Sequence, residues 1–167
     1  MNQPTTEHFD VLIVGAGISG IGGAYHLQKE CPDKSFVILE TMDSFGGTWK
    51  THTYPGIRSD SDLYTFGYGF KPWTGPPIAT AEEILDYMGE VIEENDISSH
   101  IRYEHTIETA EWSSDEKCWT LKARQQGAKE QLIFTCGFLW MCQGYYRHTD
   151  PYTPEWPGMD RFQGPVV

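Results

Sequence analysis

Three glycines near the beginning of the chain have the spacing of a phosphate-binding turn. Gly15, Gly17 and Gly20 form a G-x-G-x-x-G pattern. In such a pattern the first glycine permits a tight turn, the second lets a pyrophosphate approach the main chain, and the third lets helix and strand pack closely. The free N–H groups and the positive dipole at the start of the next helix attract the phosphates. The pattern therefore predicts a dinucleotide site.

An acidic residue stands where the ribose of such a ligand would lie. Glu40 ends a short apolar run and lies 25 positions after Gly15, where ~20 positions are typical of a ribose-binding carboxylate. A carboxylate accepts hydrogen bonds from ribose hydroxyls and repels a 2′-phosphate. Glu40 therefore disfavours NADP as the ligand of this site and leaves FAD and NAD.

The elements around these residues have the order strand, glycine turn, helix, strand. Residues 9–14 and 36–39 are short apolar runs typical of strands buried on both faces. Between them, four apolar residues recur at helical spacing. They are Ile18, Ile21, Ala24 and Leu27. Pro32 ends the predicted helix. Residues 1–50 are thus predicted to form a βαβ dinucleotide unit, and the fold class is α/β and Rossmann-like.

The next stretch, 41–78, is broken by glycines and prolines and rich in aromatic residues. The aromatic residues are Phe45, Trp49, Tyr54, Tyr64, Phe66, Tyr68, Phe70 and Trp73. Such a stretch is too aromatic for a solvated linker, so we interpret 51–78 as a loop layer packed against a flat or apolar surface. For Tyr64, Phe66, Tyr68 and Phe70, packing in the protein core explains the pattern equally well.

Residues 79–167 are predicted to contain one helix and several strands. Thr80 and Glu83 have the spacing of a capping box, and an apolar face follows to about residue 94. This face consists of Ile84, Leu85, Met88, Val91 and Ile92. Strands are expected at 101–112, 119–123 and 132–140, with Gly127 in a turn between the last two. We expect a small antiparallel excursion before the chain returns to a buried strand at 138–142.

Four short segments have further motifs. They are DSFGGTW at 43–49, YPGIRSDSD at 54–62, CQG at 142–144 and FQGPVV at 162–167. Together with the aromatic loop, they resemble class B flavoprotein monooxygenases, which comprise flavin-containing and Baeyer–Villiger monooxygenases. The last segment resembles the first half of that family's F-x-G-x-x-x-H-x-x-x-W signature. The resemblance extends over essentially the whole chain and implies the N-terminal FAD-binding portion of such an enzyme.

The resemblance also implies site residues and a reaction. The implied cofactor contacts are Gly15, Gly17, Ile18, Ser19, Gly20, Glu40, Gly47, Thr48, Trp49, Asp60, Ile107 and Gly144. Asp60 is in addition the implied catalytic position, which orients an arginine from a later part of family members. In the family, NADPH reduces FAD and a flavin peroxide oxygenates a small organic substrate. Gly46 and Gly47 would let the backbone approach the cofactor, and Trp49 suits an apolar wall beside a flat ring.

The matched motifs cover only the first part of such an enzyme. The chain stops before the expected histidine and tryptophan and has one G-x-G-x-x-G pattern. We therefore expect the NADPH domain to be absent and the chain alone to show no NADPH-dependent oxygenation. An expressed fragment, a shortened gene product and one half of a split enzyme all fit. Missing neighbours would expose apolar faces, which predicts self-association or a complementary C-terminal chain.

Two other interpretations stay open. One is a non-catalytic FAD- or NAD-binding module, and the other is a fragment of a different two-dinucleotide flavoprotein oxidoreductase. The latter could be related to amine oxidases or disulfide reductases, but a disulfide reductase needs a redox-active cysteine pair. The four cysteines form no Cys-x-x-Cys pair, and the six histidines are scattered, so we expect reduced thiols and no metal site.

Charge and hydropathy exclude some partners. The formal net charge of −12 disfavours nucleic acid and anionic membranes. The sequence lacks the run of about 18 apolar residues that a membrane span requires. The first ten residues lack the features of a secretory signal, so we expect a cytoplasmic protein.

Overall fold

The fold is built on one mixed sheet of six strands. The computed structural model describes residues 6–128, 130–146, 150 and 152–165. The strands are β1 (Thr6–Val14), β2 (Phe36–Leu39), β3 (Ile101–Arg102), β4 (His105–Ser113), β5 (Cys118–Gln125) and β6 (Gln131–Met141). The helices are α1 (Ile18–Glu30), α2 (Thr48–Thr51), α3 (Leu63–Phe66) and α4 (Ala81–Glu94), and short 3-10 turns occupy Ile97–His100 and Met159–Arg161. The strand order is β3-β2-β1-β6-β5-β4.

The N-terminal half of the sheet is the predicted βαβ unit. β1 pairs in parallel with β2, and α1 connects them. The helix ends at Glu30, two residues before Pro32, because proline cannot continue a helix. All four residues of β2 are buried, as expected for a parallel strand covered on both faces. The predicted Rossmann-like α/β fold is confirmed.

The predicted antiparallel excursion is also present, and it extends the same sheet. β4, β5 and β6 form an antiparallel meander, and β6 then pairs in parallel with β1. Gly127 lies in the turn between β5 and β6 with φ +80°. The His105 N–H at the start of β4 donates to the carbonyl of Glu40, which follows β2 on the far side of the sheet, so the sheet curls over one face. Residues of β1, β2, β5 and β6 share one buried cluster. Its buried members are Leu12, Val37, Leu39, Leu121, Ala123, Phe134 and Cys136.

Two strand predictions were wrong in detail. The predicted strand 101–112 is divided, because Glu104 has φ +60° and separates β3 from β4. The predicted buried strand at 138–142 is instead the end of the long strand β6, and it is not buried. Phe138 is 58% exposed and Met141 is 55% exposed. The pairing with β5 stops at Cys136, so this end of β6 pairs with β1 alone.

Helix α4 has the predicted capping box and apolar face. The Thr80 hydroxyl accepts from the Glu83 N–H at 3.3 Å, and the Glu83 carboxylate accepts from the Thr80 N–H at 2.8 Å. The buried residues of the face are Ala81, Ile84, Tyr87, Met88, Val91 and Ile92. Leu85 is only half-buried, and Tyr87 was not anticipated.

The aromatic loop layer packs mainly on the protein's own helices. Phe66, Tyr68, Phe70 and Trp73 contact the core cluster that α1 and α4 form with the sheet. The Phe70 ring stacks on Tyr25 of α1 at 3.5 Å between centroids. Tyr64 differs, being 60% exposed. The interpretation of these aromatic residues as core is therefore confirmed for three of the four residues to which it was applied.

The remaining general expectations concern spans, cysteines and metals. Within the described ranges, no helix has both the length and the apolar character needed to cross a bilayer. All four cysteines are free thiols, and Cys136 is buried. No group of three or more potential metal-binding side chains occurs in the part of the chain that the structure describes.

Candidate dinucleotide site

The glycine turn lies at the carboxyl end of β1, beside the end of β2. Gly15 has φ +97°, a conformation that favours glycine, and its N–H donates to the Leu39 carbonyl at 2.8 Å. Gly17 precedes the first residue of α1, where it provides no capping side chain, and the first turn of the helix has no acidic residue. The first-turn N–H groups of α1 therefore form the positive end of the helix dipole, and no carboxylate of that turn neutralises this charge.

The three glycines are required for different reasons. A Cβ on Gly20 would overlap the Gly15 carbonyl oxygen, so Gly20 is required for close packing of helix on turn. A Cβ on Gly15 would lie 2.8 Å from the Cys142 carbonyl oxygen. A Cβ on Gly17 would meet only the Gly47 Cα, at 3.8 Å, which is an ordinary contact. Nothing among the described residues therefore requires a glycine at position 17, whereas a closely approaching pyrophosphate would.

The Glu40 carboxylate is directed at the glycine turn. Glu40 is 8% exposed; one carboxylate oxygen accepts from the Ala16 N–H at 2.7 Å, and the other accepts from the Met42 N–H at 2.8 Å. Each carboxylate oxygen has a second lone pair, so the side chain retains the capacity to accept a ribose hydroxyl. Burial, followed by the charge of Glu40, raises the pKa of the neighbouring Tyr103 hydroxyl, which therefore stays neutral.

A second glycine pair forms the opposite wall of this site. The Gly46 N–H donates to the Ala16 carbonyl at 3.0 Å. Gly47 has φ +54°, and a Cβ there would lie 3.2 Å from the Gly17 Cα. Gly46 has a packing role, since its missing side chain leaves room for Leu85 of α4. The main chains at Gly17 and Gly47 thus face each other closely, with α2 starting directly after Gly47.

The other predicted contacts near the turn occupy the first turns of two helices. Ile18 is half-buried and Ser19 is exposed at the start of α1, while Thr48 is exposed at the start of α2. Trp49 packs against the helical core, with its ring edge-to-face on Phe66 at 6.0 Å. These residues lie on the segments that frame Gly17 and Gly47.

Two further predicted contacts, Asp60 and Gly144, lie on segments outside the βαβ unit. Asp60 is exposed, and its carboxylate accepts from the Ser61 hydroxyl at 3.4 Å. The Tyr145 hydroxyl donates to the Tyr146 hydroxyl at 3.4 Å, and this hydrogen bond and the charge of Tyr145, with smaller effects of burial and of Asp60, raise the pKa of Tyr146. Gly144, with φ +76°, comes just before this tyrosine pair. The segment is anchored two residues earlier, where the Cys142 N–H donates to the Val14 carbonyl at 2.9 Å.

Ile107 is the predicted contact on the antiparallel part of the sheet. It lies on β4, two residues after His105, whose N–H donates to the Glu40 carbonyl at 2.8 Å. The Ile107 side chain is half-buried and packs against the core cluster within the curled sheet. The start of β4 is thus held beside Glu40.

Sequence reasoning missed four residues that build the site. Ala16 and Met42 donate to Glu40 through backbone N–H groups, which every non-proline residue has, so no sequence signal could identify them. The Cys142 carbonyl lies against Gly15, and the CQG turn was the available signal for it. The Tyr68 hydroxyl donates to the Ile18 carbonyl at 2.6 Å, a contact between residues 50 positions apart.

A surface cavity lies away from these residues. It has a volume of about 400 Å³ and is situated between residues 71–75 and the outer side of α4. None of the predicted site residues lines this cavity. Its Lys71 is paired with Glu90 at 3.0 Å and with Glu94 at 2.7 Å.

Comparisons with known proteins agree with the Rossmann-like fold. A family model described as an NAD(P)-binding Rossmann-like domain matches residues 13–89. The FAD-containing monooxygenase EthA of Mycolicibacterium smegmatis is 50% identical over 97% of this chain and 33% of that protein. The crystal structure of cyclohexanone monooxygenase with bound cyclohexanone has a TM-score of 0.76 and 25% identity, covering 96% of this chain and 30% of that one. Oxidised steroid monooxygenase bound to NADP also has a TM-score of 0.76, with 27% identity over 96% of this chain and 30% of that chain.

The chain matches the N-terminal third of the flavoprotein monooxygenases. The resemblance stated from the sequence motifs is therefore confirmed. The chain spans about a third of the length of the curated relatives that it matches.

Proposed function

We propose that the chain binds FAD and forms the FAD-binding portion of an NADPH-dependent flavoprotein monooxygenase. One observation is central to the proposal. The unhindered Cα of Gly17 faces Gly47, next to a buried carboxylate that points at the same turn. The matched relatives support the cofactor, since the name of EthA describes it as FAD-containing.

The residues present fit the adenosine and pyrophosphate end of FAD. The pyrophosphate would lie against the first-turn N–H groups of α1, a turn that contains no acidic residue of its own. The ribose hydroxyls would donate to the spare lone pairs of the Glu40 carboxylate. Gly47 and Trp49 would then lie along the cofactor towards its flavin. When bound, the flavin supplies the redox chemistry, and the residues of this chain bind and orient it.

The whole enzyme's reaction is part of the same proposal. It is the NADPH-dependent oxygenation of a small organic substrate, with Asp60 as a positioning candidate near the flavin. The crystal structure of the OTEMO complex with FAD and NADP is that of a similar protein, with 25% identity over 96% of this chain. We expect the second dinucleotide, NADPH, to bind to a polypeptide that corresponds to the rest of such relatives.

Exposed aromatic residues support a role for such a complementary polypeptide. Near the end of the chain, Tyr145 is 86% exposed, Tyr152 88%, Trp156 65% and Phe162 62%. Exposed aromatic groups of this kind are typical of docking surfaces. A second copy of the chain is the less favourable partner for this surface, because two chains of net charge −12 repel each other.

The test of this partner mixes the chain with the remaining two thirds of M. smegmatis EthA. We expect NADPH oxidation in the mixture and none with either part alone. No NADPH oxidation in the mixture would contradict this partner.

The test of FAD binding is a titration of the purified chain, followed by flavin fluorescence and the visible spectrum. Gly17→Ala adds a methyl group that the unliganded fold accepts but a pyrophosphate does not. We expect it to weaken FAD binding by about tenfold or more, equivalent to ~1.4 kcal/mol, while the unfolding free energy changes by less than about 1 kcal/mol. The matched control is Gly69→Ala, since nothing lies within 4 Å of a Cβ at that position.

Two results would contradict the proposal. If the wild-type chain takes up no FAD, the proposed function is wrong. If Gly17→Ala and Gly69→Ala bind FAD with equal affinity, the pyrophosphate does not lie against Gly17. Because the matching family model is described as NAD(P)-binding, NAD is titrated in parallel. Tighter binding of NAD than of FAD would support the alternative of a dinucleotide-binding module that is not a flavoprotein.

A further inference from the structure

A tyrosine of the aromatic loop layer contacts the first turn of α1. The Tyr68 hydroxyl donates to the Ile18 carbonyl at 2.6 Å. Gly22 lies close to the same side chain, since a Cβ there would be 2.8 Å from the Tyr68 Cε1 atom. Ile18 and Gly22 are four positions apart, so they lie on the same face of the helix, one turn from each other. The loop layer is therefore attached to the helical turn that follows the glycine motif.

Tyr68 is itself held firmly in place. Its N–H donates to the Tyr87 hydroxyl at 2.8 Å, and that hydroxyl donates to the Lys71 carbonyl at 2.5 Å. The Tyr68 ring stacks on Phe70, with centroids 4.8 Å apart, and lies 5.6 Å from the Tyr87 ring. Burial raises the pKa of the Tyr68 hydroxyl well above its ordinary value, so it remains a proton donor over the whole physiological range.

Gly22 is a glycine that the nucleotide motif does not explain. It lies two positions after the last glycine of G-x-G-x-x-G. A Cβ on Gly22 would lie 2.8 Å from the Cε1 atom of Tyr68. Glycine in a helix costs about 0.5–1 kcal/mol relative to alanine, so this position loses helical stability to let the Tyr68 ring approach. Gly22 and Tyr68 therefore form a matched pair.

We propose that Tyr68 is a positioning residue that fixes the first turn of α1, and that it thereby couples the aromatic loop layer to dinucleotide binding. The ligand part of this inference rests on the proposed function. The N–H groups of this turn are the ones that would bind the pyrophosphate. A turn that shifts freely loses binding strength, because ordering it then costs conformational entropy on binding.

The first test removes only the hydroxyl. Tyr68→Phe keeps the buried ring and loses the contact to Ile18. We expect hydrogen exchange of the backbone amides at 18–22 to become faster, and FAD binding to weaken about three- to tenfold, as loss of one hydrogen bond implies. Tyr64→Phe is the matched control, because that hydroxyl donates at 2.8 Å to the Gly75 carbonyl within the loop layer and does not contact α1. Its exchange at 18–22 and its FAD affinity should equal those of the wild type.

The second test uses rescue. Gly22→Ala forces the added methyl group against the Tyr68 ring, so we expect weaker FAD binding and faster exchange at 18–22. In a Tyr68→Ala background the ring is absent, and the same Gly22→Ala change should then have little effect on either measurement. Such non-additivity is the signature of direct coupling between two residues. A purely structural role of Tyr68 would lower the melting temperature and leave FAD affinity unchanged.

The outcomes separate this inference from the proposed function. If the wild-type chain does not bind FAD, the proposed function fails, and the coupling is then judged by hydrogen exchange of the unliganded chain alone. Unchanged exchange at 18–22 in Tyr68→Phe overturns the inference, whether or not FAD binds. Additive effects of Gly22→Ala and Tyr68→Ala on exchange overturn it as well. Faster hydrogen exchange with unchanged FAD affinity would show that Tyr68 fixes the turn, and it would contradict the coupling to dinucleotide binding.

Discussion

The main chain makes most contacts at the candidate site, and Glu40 is one of the side chains that add to them. Its two carboxylate oxygens join the glycine turn, through Ala16, to the segment after β2, through Met42. A carboxylate has acceptors on both oxygens, whereas an amide has one acceptor and one donor group. Glu40 therefore has a structural role in the unliganded chain in addition to the proposed contact with ribose.

This dual role predicts the effect of Glu40→Gln. One of the two backbone N–H groups would then face an amide NH₂ and lose its acceptor in a buried position. We expect the unfolding free energy, measured by urea denaturation, to fall by about 1–3 kcal/mol, and FAD affinity to fall with it. Glu111→Gln, an exposed site on β4, is the control and should change stability by less than about 0.5 kcal/mol. If both variants are equally stable, the hydrogen bonds of Glu40 do not contribute.

Sequence patterns named candidate site residues, but they did not distinguish the physical reasons for which each residue is present. The roles expected for Gly15, Gly17 and Gly20 agree with the contacts that a Cβ would make at each position. Gly46 was expected to let the backbone approach the cofactor, and the packing adds a second reason for a glycine there, since it makes room for Leu85. Two glycines in a motif look alike in the sequence, and only the packing of a distant helix separates them. The contact between Tyr68 and Ile18 could not be predicted either, because it joins two segments that are far apart in the sequence and have no common local pattern.

At the scale of elements, local sequence patterns predicted the helices and strands whose stabilising contacts are local. Helix α4 begins at Ala81 and ends at Glu94, as its capping box and apolar face indicated. The two-residue strand β3 could not be predicted, because it exists through parallel pairing with β2. The exposure of Phe138 likewise depends on where the distant strand β5 ends. Pairing between remote segments leaves little trace in any single window of sequence.

The capping box makes a specific prediction for α4. Thr80→Ala removes the hydroxyl that accepts from the Glu83 N–H, and it leaves that N–H without its side-chain acceptor. We expect the unfolding free energy to fall by about 1 kcal/mol, measured by thermal or urea denaturation. Thr53→Ala, at an exposed position in the loop, is the control and should have the stability of the wild type. Because Thr80 and Glu83 act together, the double variant with Glu83→Ala should lose less than the sum of the two single losses.

At the scale of the whole molecule, a bidentate ion pair joins distant parts of the sheet. Both guanidinium NH₂ groups of Arg102, at the end of β3, donate to the two carboxylate oxygens of Glu7, near the start of β1, at 2.7 and 2.6 Å. The guanidinium group also lies 5.5 Å from the ring centroids of Phe9 and Phe134. The pair thus joins β1, β3 and β6. The Arg102 hydrogen bonds keep the pKa of Glu7 below its ordinary value.

This lowered pKa determines how the stability of the chain depends on pH. A carboxylate whose pKa is lower in the folded state contributes stability above its unfolded pKa, and that contribution is lost as the pH falls through the folded value. Both side chains are partly exposed, at 40% for Glu7 and 33% for Arg102, so solvent screening limits the contribution to about 0.5–1 kcal/mol. We expect Glu7→Gln to lower the unfolding free energy by that amount at pH 7.

The difference in unfolding free energy between wild type and Glu7→Gln should then shrink as the solution is acidified below the ordinary glutamate pKa of 4.5. It should vanish once the wild-type Glu7 is protonated, because both side chains are then neutral. Urea denaturation of both chains between pH 7 and pH 3 measures this, and Glu111→Gln controls for the loss of one negative charge from a chain of net charge −12. Added salt would weaken a purely long-range effect of charge strongly, but a bidentate pair at hydrogen-bond distance much less. A difference that stays constant with pH would mean that Glu7 contributes through packing, and that its pairing with Arg102 adds no stability.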